Sequence, residues 1–349
     1  MRVFITGNMG YIGPVVVRKL RNSYPSSQLI GFDIGYFGNS IVGGEALPER
    51  ILDLQYFGDI RRIPKTVLGG VDAVVHLAGI SNDPIGNMFA DVTLDINHRA
   101  TIVLAQKAKE AGVKSFVFAS SCSMYGAAED IPRAEKSALN PLTAYAKSKA
   151  LAERDLEPLA SELFRVTSLR FATACGWSDR LRLDLVLNDF VASAIASKRI
   201  TILSDGTPWR PLIHVKDMAR AIQWAISREA GDEGNFLAVN VGSEGWNYQV
   251  KTLAEAVASQ IPGIEVTVNP DAQPDKRSYK VSFDLFRKLA PNHQPQIDLI
   301  ASIKELKDGL EKIAFKNENF RESHLMRLNI LKQLQLRGLL NEKLEWINK

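Results

Sequence analysis

The chain has 349 residues, 46% hydrophobic and 23% charged, a profile that suits one large α/β unit with a smaller lobe. Its 43 basic and 39 acidic residues leave a net charge of +4, too small a field to imply a nucleic-acid partner. Two cysteines, Cys122 and Cys175, make no disulfide framework and point to a reducing, cytoplasmic setting, and no apolar run reaches the length of about 18 residues that a membrane span needs.

The opening MRVFITG runs straight into a strand, Arg2 to Thr6, so no signal peptide is expected. The strand ends in TGNMGYIG, and a helix is predicted from Tyr11 to Asn22. Gly7, Gly10 and Gly13 stand three residues apart in this turn. Glycines allow a sharp strand-to-helix turn and bring the backbone close to a pyrophosphate over free N–H groups. The strand before and the helix after supply the context such a motif requires. A second strand, Gln28 to Asp33, ends in a carboxylate twenty residues beyond Gly13. Asp33 there can accept both ribose hydroxyls of an adenosine and would repel a 2′-phosphate, which favours NAD over NADP.

Asp59, in FGDIRR, follows another strand, and with Ile60 it is placed beside the adenine. Val71 to Leu77 reads as a strand, Ile96 to Ala111 as a helix stopped by Gly112, and Ser115 to Ala119 as a strand. Asn97 is read as a brace beside the active site. A helix follows from Tyr145 to Leu163, and a strand from Val166 to Arg170. Short β-rich runs joined by helical crossovers imply a parallel sheet covered on both faces. Tyr145 and Lys149, in YAKSKALAE, share one helix face. A nearby ammonium favours the phenolate and brings a tyrosine toward the working range of a base. Ser121, at the end of FVFASS, can share a substrate hydroxyl's proton with Tyr145. Ligands of such sheets bind beyond the carboxyl ends of the strands, where the three groups can meet.

From about Cys175 the rhythm loosens. A helix is predicted over Leu183 to Ser197 and another over Thr252 to Ile261. Extended segments are predicted over Arg199 to Leu203, Arg210 to Val215 and Glu265 to Asn269. These pieces read as a substrate lobe, 176–206 and 243–315. The dinucleotide-binding unit, 1–175, is completed by about 207–242. The tail, 316–349, carries Leu325, Leu328, Leu331 and Leu334 at intervals of three, the pattern of an amphipathic helix. Gly338 is placed at its end, with a further turn or two over Leu339 to Ile347. The tail is read as a helix packed on the body, with a dimer or partner contact as the alternative. Glu318, Glu322, Glu342 and Glu345 argue against a membrane surface.

TGNMGYIG, GFD, GDI, VVHLAG, ASSCSMYG, YAKSK, LRFATACG and RPLIHVKDMA together resemble the extended short-chain dehydrogenase/reductase superfamily, in its NAD-dependent nucleotide-sugar epimerase and dehydratase branch, over residues 1 to 315. The resemblance implies a Rossmann-type doubly wound sheet with an interleaved α/β lobe. It implies Ser121, Tyr145 and Lys149 as the catalytic set. For the cofactor it implies Gly7, Gly10, Tyr11, Ile12, Gly13, Asp33, Asp59, Ile60, Ala78 and Gly79, together with Tyr145 and Lys149. It implies a nucleoside diphosphate sugar in the smaller lobe, with Ser81, Cys122, Asn188, Arg210 and Arg277 assigned to it, no metal, and a homodimer paired through the helices at 96–111 and 145–163. Guanidinium forks at Arg210 and Arg277 suit diphosphate oxygens.

The related 4,6-dehydratases carry an Asp-Glu pair directly after the catalytic hydroxyl residue. Here Cys122 and Ser123 stand there, which lowers dehydration among the expected reactions. Cys122 fits a buried small residue or a thiol that shuttles a proton. The reading is therefore an epimerase exchanging hydride at a sugar secondary alcohol, most simply C4. A 4-dehydrogenase or 4-keto-reductase is the main alternative. A non-catalytic dinucleotide sensor ranks below both, because tyrosine and lysine are both present.

Overall fold

The computed structural model describes residues 1–43, 46–127, 131–269 and 278–347. In chain order the elements begin with β1 (Arg2–Thr6), α1 (Gly13–Ser23), β2 (Gln28–Asp33), β3 (Leu54–Phe57), β4 (Ala73–His76), α2 (Asp83–Met88), α3 (Ala90–Leu94) and α4 (Ala100–Glu110). Next come β5 (Ser115–Ser121), α5 (Ala144–Leu156), β6 (Arg165–Phe171), β7 (Thr173–Cys175), α6 (Val186–Ser197), β8 (Arg199–Ile202), β9 (Trp209–His214), α7 (Val215–Ser227) and β10 (Phe236–Val241). The series closes with β11 (Asn247–Gln249), α8 (Val250–Gln260), β12 (Glu265–Val268), α9 (Asp284–Leu289), α10 (Leu299–Lys312) and α11 (Arg327–Leu336).

Seven strands form one sheet in the order β10-β6-β5-β4-β1-β2-β3, every pair parallel. Such strands are covered on both faces, and their sequences show it: Val3, Phe4 and Ile5 of β1 and Ala73, Val74 and Val75 of β4 are all buried. The strand order reverses at β1, which pairs with β2 on one side and β4 on the other, and Thr6 ends opposite both Phe32 and His76. That reversal opens a crevice beyond the carboxyl ends of the strands. His76 is buried there, with Nδ1 2.7 Å from the Thr6 hydroxyl and Nε2 2.8 Å from that of Thr101. Two smaller sheets, β11-β9-β7 and β12-β8, are built from strands after β6, with β10 returning to the main sheet between β9 and β11. Among the described residues no helix is long and apolar enough to cross a membrane.

Several boundaries differ from the sequence reading for local physical reasons. The helix expected from Ile96 starts at Ala100, because residues Asp95–Arg99 wind into a wider π turn continuous with α3. Asn97 sits in that turn, buried. Its amide accepts from Ile80 N at 2.7 Å and donates to Ile80 O at 2.8 Å and Ser148 Oγ at 3.1 Å. The helix expected to reach Leu163 stops at Leu156, with Pro158 in the tight turn that follows, and Leu163 is exposed.

The tail helix α11 holds Leu328, Leu331 and Leu334, while Leu325 precedes it and accepts a backbone bond from Leu183 N at 2.9 Å. Gly338 follows the helix at φ +63°. The further turns expected over 339–347 are absent. A loop closed by a bridge between Leu340 and Trp346 takes their place. The loop packs on residues beyond β2 and β3. The Tyr36 hydroxyl donates to Leu344 O, Trp346 Nε1 donates to Ile34 O at 2.7 Å, and Arg61 donates to Lys343 O at 2.9 Å.

Candidate active site

The glycine turn is built by exclusion of side chains. Gly7 has φ +72°, and a Cβ there would lie 2.5 Å from Ala78 N. A Cβ on Gly13 would lie 2.0 Å from Asn8 O. Only glycine fits both positions, so β1 can turn sharply into α1. Gly10 meets little besides the Gly7 carbonyl, at 3.1 Å, and faces a cavity of about 780 Å³. That volume lies within the range of small-molecule sites. Gly7, Tyr11, Ile12, Ala78 and Gly79 line the same cavity, while Gly13 packs behind it. Asp33 also lines it. Its carboxylate accepts from Met9 N at 3.0 Å and Gly35 N at 2.7 Å. Burial raises the Asp33 pKa, and those two backbone donors oppose the rise. Asp59 and Ile60 are present at the lining too, but the Asp59 carboxylate is already held by Arg61, at 2.6 Å from Nη2. A glycine cradle with no room for Cβ atoms and a buried carboxylate at the end of β2 fit a dinucleotide.

Ser121 ends β5. Tyr145 and Lys149 project from α5, which Thr143 caps by accepting from Ala146 N at 3.2 Å. The Thr143 hydroxyl also donates to Asp83 Oδ1 at 2.7 Å, tying α5 to α2. All three expected catalytic side chains line the cavity. Ser121 Oγ is 2.9 Å from Ser123 Oγ and accepts from Ser123 N at 3.1 Å. Lys149 Nζ donates to Ala119 O at 2.7 Å and stands 4.5 Å from the Phe118 ring centre. Burial pulls its pKa down to about 7, and the Glu153 carboxylate partly opposes that.

Burial pushes Tyr145 up, a hydrogen bond with Ser121 opposes it, and Asp83 raises it further. The expected lowering by Lys149 is not among these forces. The ammonium is turned onto the Ala119 carbonyl, 5.9 Å from the tyrosine ring centre. The Arg182 guanidinium lowers Tyr145 instead.

Two assigned substrate contacts face elsewhere. Cys122 is fully buried, its thiol donating to Arg170 O at 3.0 Å, and burial drives its pKa far up, so it neither lines the cavity nor shuttles protons as a thiolate. Asn188 is fully buried as well. Its amide donates to Tyr11 Oη and Arg182 O, both at 3.0 Å, and accepts from Gly176 N at 3.0 Å. It fixes the Tyr11 ring rather than a sugar. Ser81 lines the cavity and accepts from Arg182 Nη1 at 2.8 Å, and Arg210 lines it near Tyr279. Arg277 lies outside the described residues.

The sequence reading missed five charged groups at the cavity. Arg182 is clamped by Asp184 through Nε at 2.7 Å and Nη2 at 3.0 Å. Arg321 pairs with Asp189 at 2.6 Å, and Arg327 opens α11. All five of these, Asp184 and Asp189 included, line the cavity. The run DRLRLD carried a signal for Arg182. The tail gave only its leucine spacing, which does not reveal that its arginines point inward.

A family model described as the NAD dependent epimerase/dehydratase family matches residues 3–242. The UDP-glucose 4-epimerase of Neisseria gonorrhoeae is 30% identical over 289 residues, covering 73% of this chain and 81% of that protein. The dTDP-glucose 4,6-dehydratase of Streptomyces griseus is 28% identical over 307 residues, covering 85% and 90%. A crystal structure of the Thermotoga maritima UDP-glucose 4-epimerase with UDP-glucose shares the fold, with a TM-score of 0.74 at 22% identity over 90% of this chain and all of that one. The glycine turn, the β2 carboxylate and the serine, tyrosine and lysine stand around one crevice, and with the family model matching most of its length the chain belongs to the NAD-dependent epimerase/dehydratase family.

Proposed function

We propose that this enzyme is a nucleotide-sugar epimerase that exchanges hydride at a secondary alcohol of the sugar, C4 in the simplest case. One observation carries the reading. Ser121, Tyr145 and Lys149 stand on the same cavity as the glycine turn and Asp33, and Arg210 lines that cavity too. Bound NAD supplies the hydride acceptor. The chain's own residues handle the proton. Tyr145 takes it from the sugar hydroxyl, and Ser121 shares the hydrogen bond and steadies the oxygen as the ketone forms. The epimer would follow if hydride came back to the opposite face of the sugar carbon while Tyr145 returned the proton to the oxygen, a cycle that would leave no net NADH. Neither Cys122, in the core, nor the Ser123 hydroxyl offers a carboxyl group for expelling water. The relatives named for UDP-glucose support a nucleoside diphosphate sugar as substrate. Two buried free cysteines fit a reducing cytoplasm.

The test is incubation with uridine, thymidine, guanosine and cytidine diphosphate sugars, following absorbance of NADH and product mass. An isomer of unchanged mass without NADH is expected. Stoichiometric NADH would favour the 4-dehydrogenase, and a product lighter by one water would overturn the proposal.

A further inference from the structure

The tail contributes to the lining of the crevice through α11. Arg327, the first residue of α11, is 2% exposed and lines the cavity. Its guanidinium lies 4.6 Å from the centre of the Phe37 ring, and Nη2 donates to Arg180 O at 2.7 Å. Nη1 is buried and has no hydrogen-bond partner among the described residues. A buried guanidinium donor without an acceptor is costly, and native structures rarely leave one so. The Asp184 carboxylate offsets the charge only in part, since burial and the Arg182 guanidinium act against it. Arg180 is paired with Glu49 at 2.6 Å and Arg182 with Asp184 at 2.7 Å, so two of the three clustered arginines have their anions, and among the described residues Arg327 makes no ion pair of its own. Its neighbours locate the missing anion. Phe37 follows Asp33, the ribose end of the crevice, and Tyr11 belongs to the glycine turn and feels the same cluster. Leu331, one turn further along α11, lines the cavity as well.

We propose that Arg327 is a cofactor-binding residue that donates to the diphosphate of NAD across the crevice from the glycine turn, so that the tail closes over the bound dinucleotide. This rests on the reading that NAD occupies the crevice. Burial beside Arg180 and Arg182 holds the Arg327 pKa down to about 9, and a diphosphate set against it would relieve that. The function gains from it. An epimerase must keep its reduced cofactor while the ketone turns over, and a strap across the diphosphate slows escape.

The experiment measures binding rather than turnover. Dissociation constants of NAD, ADP, adenosine and UDP are compared for the native chain, Arg327→Met and Arg327→Lys. Arg327→Met is expected to weaken NAD and ADP at least about tenfold, as loss of a buried charge-assisted contact does, while adenosine and UDP change less than about twofold and Arg327→Lys recovers part of the loss. Unchanged NAD affinity, an equal loss for adenosine, or a loss confined to UDP would overturn the inference. If the native chain binds no NAD, the cofactor reading itself fails first. Should Arg327→Met not fold, hydrogen exchange on the native chain decides. ADP is expected to slow exchange across 327–346 more than adenosine does, and equal protection by the two would refute a diphosphate contact.

Discussion

Glu153→Gln isolates the ion pair beneath the catalytic helix. Tyr145, Lys149 and Glu153 follow one another at intervals of four on α5 and so share a face. The Glu153 side chain is 5% exposed and that of its partner Arg170 is 9%. Three of the Arg170 contacts go to this carboxylate: Nε at 3.2 and 3.0 Å, and Nη2 at 2.7 Å. Its other donor, Nη1, serves Tyr125 Oη at 3.1 Å and Glu135 O at 3.0 Å. Glutamine keeps the shape but removes the charge and turns an N–H₂ group toward a guanidinium. A buried cation is left without an anion, a change that costs about 3–5 kcal/mol. Urea unfolding, read by tryptophan fluorescence, should show that loss. The double variant Glu153→Leu with Arg170→Met should recover most of it, because no charge then remains buried. Activity should report the same change. Glu153 partly sustains the charge on Lys149, so the alkaline limb of kcat/KM set by that lysine moves to lower pH in Glu153→Gln. A loss below about 1 kcal/mol, or a double variant no more stable than the single, refutes the account.

Tyr145→Phe should lower turnover by roughly 10²–10⁴-fold while NAD binding survives, and retention of more than about a tenth of the activity would assign the base elsewhere. NADP should bind at least about tenfold more weakly than NAD because its 2′-phosphate meets the Asp33 carboxylate, and parallel titrations check it. His76 is a base held down to about 3 by burial, so between about 6.5 and 3 the unfolded chain binds a proton that the folded chain does not. Stability should therefore fall with falling pH across that window, by up to roughly 1.4 kcal/mol per unit from this group, and His76→Asn should flatten the acid limb of urea midpoints against pH. The chain is expected to sediment as a homodimer at micromolar concentration, and a monomer would refute pairing through α4 and α5.

The sheet was readable because buried parallel strands leave unbroken apolar runs, and β2 was placed to the residue. The glycine turn, Asp33 and the serine, tyrosine and lysine were readable because each needs a fixed residue type at a fixed place after a strand. What failed to show were contacts made across long separations. Cys122 follows Ser121 directly, yet the tight turn after β5 sends its side chain into the core. Asn188 has the chemistry of a ligand contact, but only the fold reveals that Tyr11, 177 positions earlier, occupies it. Arg327 gave no signal at all, since the spacing of its neighbouring leucines describes a packed helix whether or not the first residue faces a ligand.

The tail's placement also orders the birth of the molecule. All seven strands of the main sheet lie within residues 2–241, and the glycine turn is among the earliest residues made. The contact between Tyr36 and Leu344 joins positions 308 apart. Domains assemble as their residues emerge during synthesis at roughly 5–20 residues per second, so the sheet can form seconds before the strap exists. During that interval Arg327 and Leu331 are missing from the lining of the crevice. Under the proposed diphosphate contact, a dinucleotide would meet fewer walls during synthesis than it meets in the finished chain.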